Sequence, residues 1–232
     1  MRNRLQPQLI LGTGASAPKE QDHLYGIVRT ALANGIRCFD TAPSYKTEQL
    51  LGIALHTCMK EMDIKREQLF IQTKIDAWQM QNGNIERFVD DVLCDMKISY
   101  LDSLLIHWPV PEYMDETWSK IIQLKKASKT KNIGICNIRI RQLLEYEKYD
   151  VKPDIIQIER HPLRTCSNEI DYCHDNNLSV QSYSPLCKMH LKLRESEIIK
   201  GIGERKRRAV GQIIRRWDSD TGVCRIFPST TT

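Results

Sequence analysis

No apolar run in the 232 residues approaches the roughly 20 that a helix needs to cross a bilayer, so no membrane partner is expected. The amino terminus, MRNRLQPQLILGTG, carries basic residues but an apolar run of only four. That is too short for the core of a secretory signal, and the chain is expected to be cytoplasmic. There is no CxxC pair and no cysteine-histidine spacing of a zinc site, so no metal is expected. The eight cysteines (38, 58, 94, 136, 166, 173, 187 and 224) lie scattered in apolar periodic segments, as small buried hydrophobes of a reducing compartment would. A strong charge imbalance is also missing, the formal net charge being +5. Basic residues do crowd positions 188–216, in ERKRRAVGQIIRRW and its approach, but without aromatic interleaving or a nucleic-acid module. Ile198, Ile199, Ile202, Val210, Ile213, Ile214 and Trp217 recur there at helical spacing. The charges are therefore expected on solvated faces of helices that cover a core, and no nucleic-acid partner is expected.

What is present is a globular balance of 41% hydrophobic and 27% charged residues in a length that suits one barrel or sandwich. Short β-rich runs alternate with longer amphipathic stretches. The strand candidates are QLILGTG, IRCFDTA, LFIQTKI, LDSLLIHW, KNIGICNI, DIIQIER, LSVQSYS and VCRIF. Between them lie HLYGIVRTALANG, TEQLLGIALHTCMKEM, NIERFVDDVLCDMK, TWSKIIQLKKAS, RQLLEYEKY, NEIDYCHDNN and the basic stretch. Asn34-Gly35 should end the first helix, Asn84 should cap the third, and Ser167 or Asn168 the sixth. Such alternation without internal repeats points to parallel strands with crossover helices, in a doubly wound sheet or a (β/α)8 barrel, and eight strands favour the barrel. The sequence stops at FPSTTT just after the eighth strand. The expected TIM barrel therefore lacks its last covering helix and carboxyl-terminal tail. An uncovered wall of that kind invites self-association, or a rearranged amino terminus.

In such barrels reactive groups sit at the carboxyl ends of the strands. Asp40 closes IRCFD, Lys74 closes LFIQTK, His107 closes LLIH, and Tyr45 lies in the loop after Asp40. Further round the rim come Asn137, Gln157, Glu159 and Tyr183. A phenol near pH 7 exchanges a proton only if its surroundings shift it, and a neighbouring Lys74 ammonium is expected to lower its pKa. Asp40 would hold Lys74 charged, and His107 could orient a carbonyl oxygen beside the phenol. That cluster suits addition to a carbonyl, but no side chain supplies a hydride, so reduction needs a cofactor. Tyr183 could stack on a nicotinamide, with the Asn137 and Gln157 amides on its carboxamide.

These residues carry a family resemblance. FDTAPSYKTEQLLGIAL resembles the aldo-keto reductase signature FDTAxxYxxExxLGxAL, and Asp40, Tyr45, Lys74 and His107 match that family's catalytic tetrad in order and spacing. LLIHWP, IGICN, IIQIERHP and VQSYSPL resemble its later motifs. The resemblance implies a monomeric barrel that binds NADPH, with NADH as the alternative, in extended form without a Rossmann domain, and a small carbonyl compound as substrate. Tyr45 would protonate the oxygen, Lys74 and Asp40 would tune it, and His107 would position the substrate, with Trp108 lining the pocket. Cys136, Asn137 and Gln157 would hold the carboxamide, Tyr183 would stack on the nicotinamide, and Ser184 and Leu186 would join the cofactor-binding set.

Four departures accompany the match. Cys136 stands at the usual serine of the family's Ser-Asn pair, and Cys187 at a usual glycine after SPL. The lysine-serine pair and the arginine that grip a 2′-phosphate have no counterpart in RIFPST, where the lysine is missing and the arginine would fall past the last residue. Losing two charge-assisted hydrogen bonds of about 1.5 to 3 kcal/mol each would weaken NADPH binding by one to several powers of ten. Lys188, Lys192 and Arg194 could compensate at the pyrophosphate. The rival expectations are a catalytically weak barrel serving as a cofactor-binding or redox-sensing subunit, and a fragment of a longer reading frame.

Overall fold

The computed structural model describes residues 9–14 and 20–228. Its elements run β1 (Leu9–Gly12), α1 (Gln21–Ala33), β2 (Cys38–Asp40), α2 (Glu48–Glu61), β3 (Phe70–Ile75), α3 (Ala77–Asn82), α4 (Ile85–Met96), β4 (Leu101–Ile106) and α5 (Met114–Lys126). There follow β5 (Thr130–Cys136), α6 (Ile140–Leu144), β6 (Ile155–Glu159), α7 (Ser167–Asp175), β7 (Ser179–Tyr183), α8 (Leu191–Arg194), α9 (Glu197–Lys206), α10 (Val210–Asp220) and β8 (Cys224–Pro228). Each strand pairs in parallel with its chain neighbours, and β8 pairs with β1 to close a (β/α)8 barrel.

Each strand of the barrel coincides with one of the eight β-rich runs, β5 starting one residue before its run and β8 ending one residue after, and alternation decides which face each residue takes. In β3, Ile71, Thr73 and Ile75 face the helices while Gln72 and Lys74 face the lumen. The outward apolar residues, with Leu11, Phe39, Leu104, Ile106, Ile133, Ile135, Ile156 and Val180, join the inner faces of the helices in one continuous core. The lumen holds two small apolar clusters, Ile10, Cys38, Cys224 and Ile226, and Leu105, Cys136 and Ile155. Between strands β5 and β6 the backbone approaches closely: a Cβ on Gly134 would lie 2.2 Å from the Ile155 carbonyl oxygen. The Gly52 position in α2 is equally tight, its Cβ falling 2.4 Å from Met96 Cα of α4.

Local punctuation agrees in part. Asn34 caps α1 and Gly35 follows at φ 83°, as expected. Asn84 does stand at the start of α4, but its side chain makes no capping bond. Helix α7 begins at Ser167, with Cys166 at φ 51° as the capping residue in place of Ser167 or Asn168. The six-residue α3 was not expected, since it is too short to show a periodic apolar face; Gly83, at φ 69°, ends it. The basic stretch breaks into α8, α9 and α10. Its cations do lie largely on solvated faces, but its isoleucines cover less core than their spacing suggests. Ile214 is buried, whereas Ile198 is 78% exposed.

A buried polar clamp ties α10 to the barrel. Arg160, just after β6, pairs with Asp218 of α10, whose other oxygen accepts from Ser182 Oγ of β7 at 2.6 Å. The guanidinium also donates through Nε to the Thr165 carbonyl at 3.0 Å and lies 4.1 Å from the Trp217 ring centre. Removing one member of a buried pair strands the other charge. Asp218→Ala should therefore lower stability by about 3 to 5 kcal/mol in urea unfolding. A loss below about 1 kcal/mol would show that water, not Asp218, satisfies Arg160.

On the outer face, half-buried Glu48 of α2 accepts a hydrogen bond from Thr73 Oγ1 at 2.5 Å. Burial raises its carboxyl to about 7, against a partial opposing effect of that bond. The folded chain thus holds this proton to near neutrality, whereas an unfolded glutamate releases it near pH ~4.3. The associated stability is full below the unfolded value and is lost as pH rises through about 7. Glu48→Gln keeps the acceptor for Thr73 and removes the titration. The variant should gain up to about 3 kcal/mol over the parent between pH ~5 and ~8, read from urea midpoints at both pH values. Parallel pH dependences in the two proteins would contradict this.

Candidate active site

The parallel register brings Asp40, the last residue of β2, and Lys74, the penultimate residue of β3, to one rim. The Lys74 ammonium, wholly buried, donates to Asp40 Oδ1 and Oδ2 at 2.8 and 2.7 Å and to the Thr41 carbonyl at 3.0 Å. Burial is the largest single influence and disfavours the ammonium, but the Asp40 charge and hydrogen bonding together with Tyr45 and Cys136 outweigh it and hold the lysine pKa above its ordinary value. Asp40 does keep Lys74 charged, as expected.

Tyr45 reaches the same lysine from a short 3-10 turn, Pro43–Tyr45, that proline starts and Lys46, at φ 57°, ends. Lys74 Nζ lies 4.7 Å from the phenol ring centre. The ring meets His107 edge-on, with centres 5.6 Å apart and planes at 89°. The expected lowering of the phenol pKa is corrected here. Burial is the largest influence and raises it, Lys74 opposes, and Asp40 adds to the rise, so the net shift is upward. Tyr45 consequently keeps its proton at neutral pH.

His107 follows the last residue of β4, and its Nδ1 is hydrogen-bonded to Asp76 Oδ1. Asp76 was not singled out in the sequence. It lies one residue past β3, where it also caps α3, and it looks there like an ordinary loop acid. Its Oδ2 accepts from Ser44 N at 2.8 Å, tying it to the Tyr45 turn. Burial alone would raise the Asp76 carboxyl, but the bond and charge of His107, with the Ser44 N–H, hold it below the usual range. Trp108 and Trp78 flank the rim with about half their surface exposed, 54% and 55%.

On the other side of the rim, Asn137 sits at φ 58° directly after β5. Its Nδ2 donates to the His107 carbonyl at 2.9 Å, and its Oδ1 accepts from Tyr183 OH at 2.6 Å. Gln157 is drawn below the rim into the lumen. Its Nε2 donates to Gln181 Oε1 at 3.0 Å and Asp40 Oδ1 at 3.3 Å, and Cys136 Sγ contacts its Oε1 at 3.5 Å. Ser184 and Leu186 lie in the loop after β7, where Ser184, Cys187, Lys188 and Met189 all take left-handed backbone. Cys187 therefore occupies a conformation, φ 46°, that favours the glycine it replaces. Lys188, Lys192 and Arg194 are exposed, and Arg194 pairs with Glu195 at 3.1 Å. Ser229 and Thr230 of RIFPST lie outside the described residues. Among the described residues no His, Cys, Asp and Glu group could hold a metal ion.

The lumen contains a further pair that neither motif nor position suggested. Gln72 Nε2 donates to Asp40 Oδ1 at 2.6 Å and to Gln181 Oε1 at 2.9 Å, while Gln181 Nε2 donates back to Gln72 Oε1 at 3.0 Å. Both amides are fully buried. Asp40 only accepts, so it turns the Gln72 amine toward itself and leaves the oxygen for Gln181. Gln72→Leu or Gln181→Leu alone should each cost about 1 to 3 kcal/mol by orphaning the partner amide. The double variant should fall short of their sum by about 1 kcal/mol or more. Strict additivity in urea unfolding would show that the two amides act independently.

With this geometry in place, comparison with known proteins is direct. A family model described as the Aldo/keto reductase family matches residues 8–222. A glyoxal reductase of Bacillus subtilis is 35% identical over 203 residues, covering 86% of this chain and 70% of that protein. A methylglyoxal reductase of Escherichia coli is 32% identical over 230 residues, covering 98% and 80%. Among solved structures, an aldo/keto reductase from Brucella melitensis superposes with a TM-score of 0.84 at 31% identity, covering 97% of this chain and 84% of that one. Family match, identity over most of both chains, and barrel geometry agree: the chain belongs to the aldo/keto reductase family.

Proposed function

We propose that the protein is an NADPH-dependent carbonyl reductase that converts an aldehyde or ketone to the alcohol, with small 2-oxoaldehydes such as methylglyoxal as the first substrates to try. One observation carries the reading: a buried ammonium, clamped by Asp40, stands beside a phenol whose proton is retained at neutral pH. The substrate class rests on the glyoxal and methylglyoxal reductases that the chain is similar to.

The residues of the rim fit the nicotinamide end of the cofactor. The half-buried Tyr183 ring stands beside the Asn137 amide, and their mutual hydrogen bond holds both in place. Asn137 and Gln157 would hold the carboxamide and Tyr183 the ring face, with Ser184 and Leu186 along the loop toward the phosphates, while fully buried Cys136 backs Gln157 from the lumen instead of reaching the carboxamide. When bound, NADPH supplies the hydride, and NADH is the alternative donor of the same chemistry. Tyr45 gives its proton to the carbonyl oxygen as that oxygen gains negative charge. Lys74 steadies the phenolate that remains, until solvent returns the proton. Asp40 holds that lysine charged and in place, so the electrostatic support exists before the substrate arrives. His107 orients the carbonyl oxygen from the opposite edge, and Trp78 and Trp108 shield the mouth from water.

Tyr45→Phe tests this directly. It should lower kcat for methylglyoxal reduction by roughly 10²- to 10⁴-fold, while quenching of protein fluorescence by NADPH is unchanged. A variant that reduces a panel of aldehydes as fast as the parent would sink the mechanism.

A further inference from the structure

The His107 ring has two nitrogens, and the surroundings distinguish them. Asp76 Oδ1 is bonded to Nδ1, and Asp76 Oδ2 is already an acceptor for the Ser44 N–H. The Ser44 N–H requires an acceptor at Oδ2, and the Asp76 carboxyl, held below its usual range, is a carboxylate at neutral pH. A carboxylate cannot donate, so Nδ1 must carry the hydrogen. In a neutral imidazole with Nδ1–H, the other nitrogen, Nε2, is an acceptor only. It gains a hydrogen only when the ring becomes imidazolium.

The remaining neighbours do not supply a competing partner of the opposite kind. From the β2 side the ring faces Tyr45, with Lys74 behind it, and that ammonium is bonded to Asp40. From the β5 side Asn137 engages the His107 backbone carbonyl, with the Tyr183 hydroxyl bonded to Asn137 in turn. Trp108 lies beside the ring, 6.1 Å between centres, and carries no titrating group. Asp76 is therefore the charge in direct contact with the imidazole.

We propose that Asp76 is a positioning residue for the carbonyl-orienting histidine: it fixes the Nδ1–H form, so that Nε2 donates a hydrogen bond to the substrate oxygen only when His107 is imidazolium. The inference rests on the carbonyl-reductase reading for its functional consequence. The tautomer stands without it. In this arrangement an incoming carbonyl meets two donors, the Tyr45 phenol and the His107 Nε2–H. The second is present only while the ring carries both protons.

The experiment uses the full chain labelled with ¹⁵N, its imidazole resonances followed by NMR across pH. Six histidines are present, and the His107 signals are identified by their loss in His107→Asn. In the unaltered protein at high pH, His107 should show a protonated Nδ1 and a bare Nε2. Asp76→Asn, whose amide oxygen is taken by the Ser44 N–H and whose NH2 then meets Nδ1, should shift the neutral ring to the Nε2–H form, and Asp76→Glu should restore Nδ1–H. With methylglyoxal and NADPH, kcat/KM of the parent should fall on the alkaline side at the pKa measured by NMR. That limb should be lost in Asp76→Asn, whose neutral ring still donates through Nε2. An Nε2–H tautomer in the unaltered protein overturns the proposal whether or not the variants fold. A correct tautomer in a protein that reduces no carbonyl upholds the Asp76 control and refutes the reductase reading. An alkaline limb that stays in place in Asp76→Asn while its tautomer changes overturns the imidazolium donor.

Discussion

An ammonium wholly removed from water inside a barrel is the constraint on which the site depends. Lys74 can occupy that position only because Asp40 meets it with both oxygens, and Asp40 in turn is crowded with donors from Lys74, Gln72 and Gln157. Charges without such partners would incur a desolvation cost of several kcal/mol each. The strands therefore alternate apolar residues outward with polar residues inward, and the main hydrophobic core lies between barrel and helices. The lumen combines this polar network with two small apolar clusters, and it opens at the rim where the chemistry is proposed.

The same pair explains the division of labour between Tyr45 and Lys74. A lysine next to a phenol suggests an acidified phenol, but the lysine is already neutralised by its carboxylate, and burial of the phenol then prevails. The phenol stays protonated and available to an oxygen that gains charge. Asp76 repeats the logic at His107. Asp40 holds the Lys74 charge, Asp76 is proposed to fix the His107 tautomer, and each carboxylate is anchored by a second donor.

How much of this was legible follows from the physics of each position. Asp40, Lys74 and His107 could be found because strands in a parallel barrel end on one rim, so a titratable residue at a strand end is conspicuous in the sequence. Tyr45 followed from its place in the loop after Asp40. Asp76 was not legible, since its importance depends on how the turn before α2 brings Ser44 N–H and the end of β4 brings His107 to it. Gln72 and Gln181 were hidden for a related reason: each reads as one of several polar residues in a short strand, and only barrel closure makes them partners. The exposed Ile198 shows the converse. Helical spacing predicted a covered face, but periodicity does not state how much surface the neighbouring element offers.

The glutamine pair also bears on the order in which the molecule can assemble. Gln72 and Gln181 are 109 residues apart in sequence, and the closing pairing joins β1 to β8 across nearly the whole described chain. Contacts of such separation form late, after the local βα units have condensed. Until β7 arrives, Asp40 and Lys74 lie in an open trough where water serves as their partner. During synthesis from the amino terminus, the first half of the barrel therefore emerges with its charged pair hydrated, and the arrival of β7 and β8 is the event that dries it.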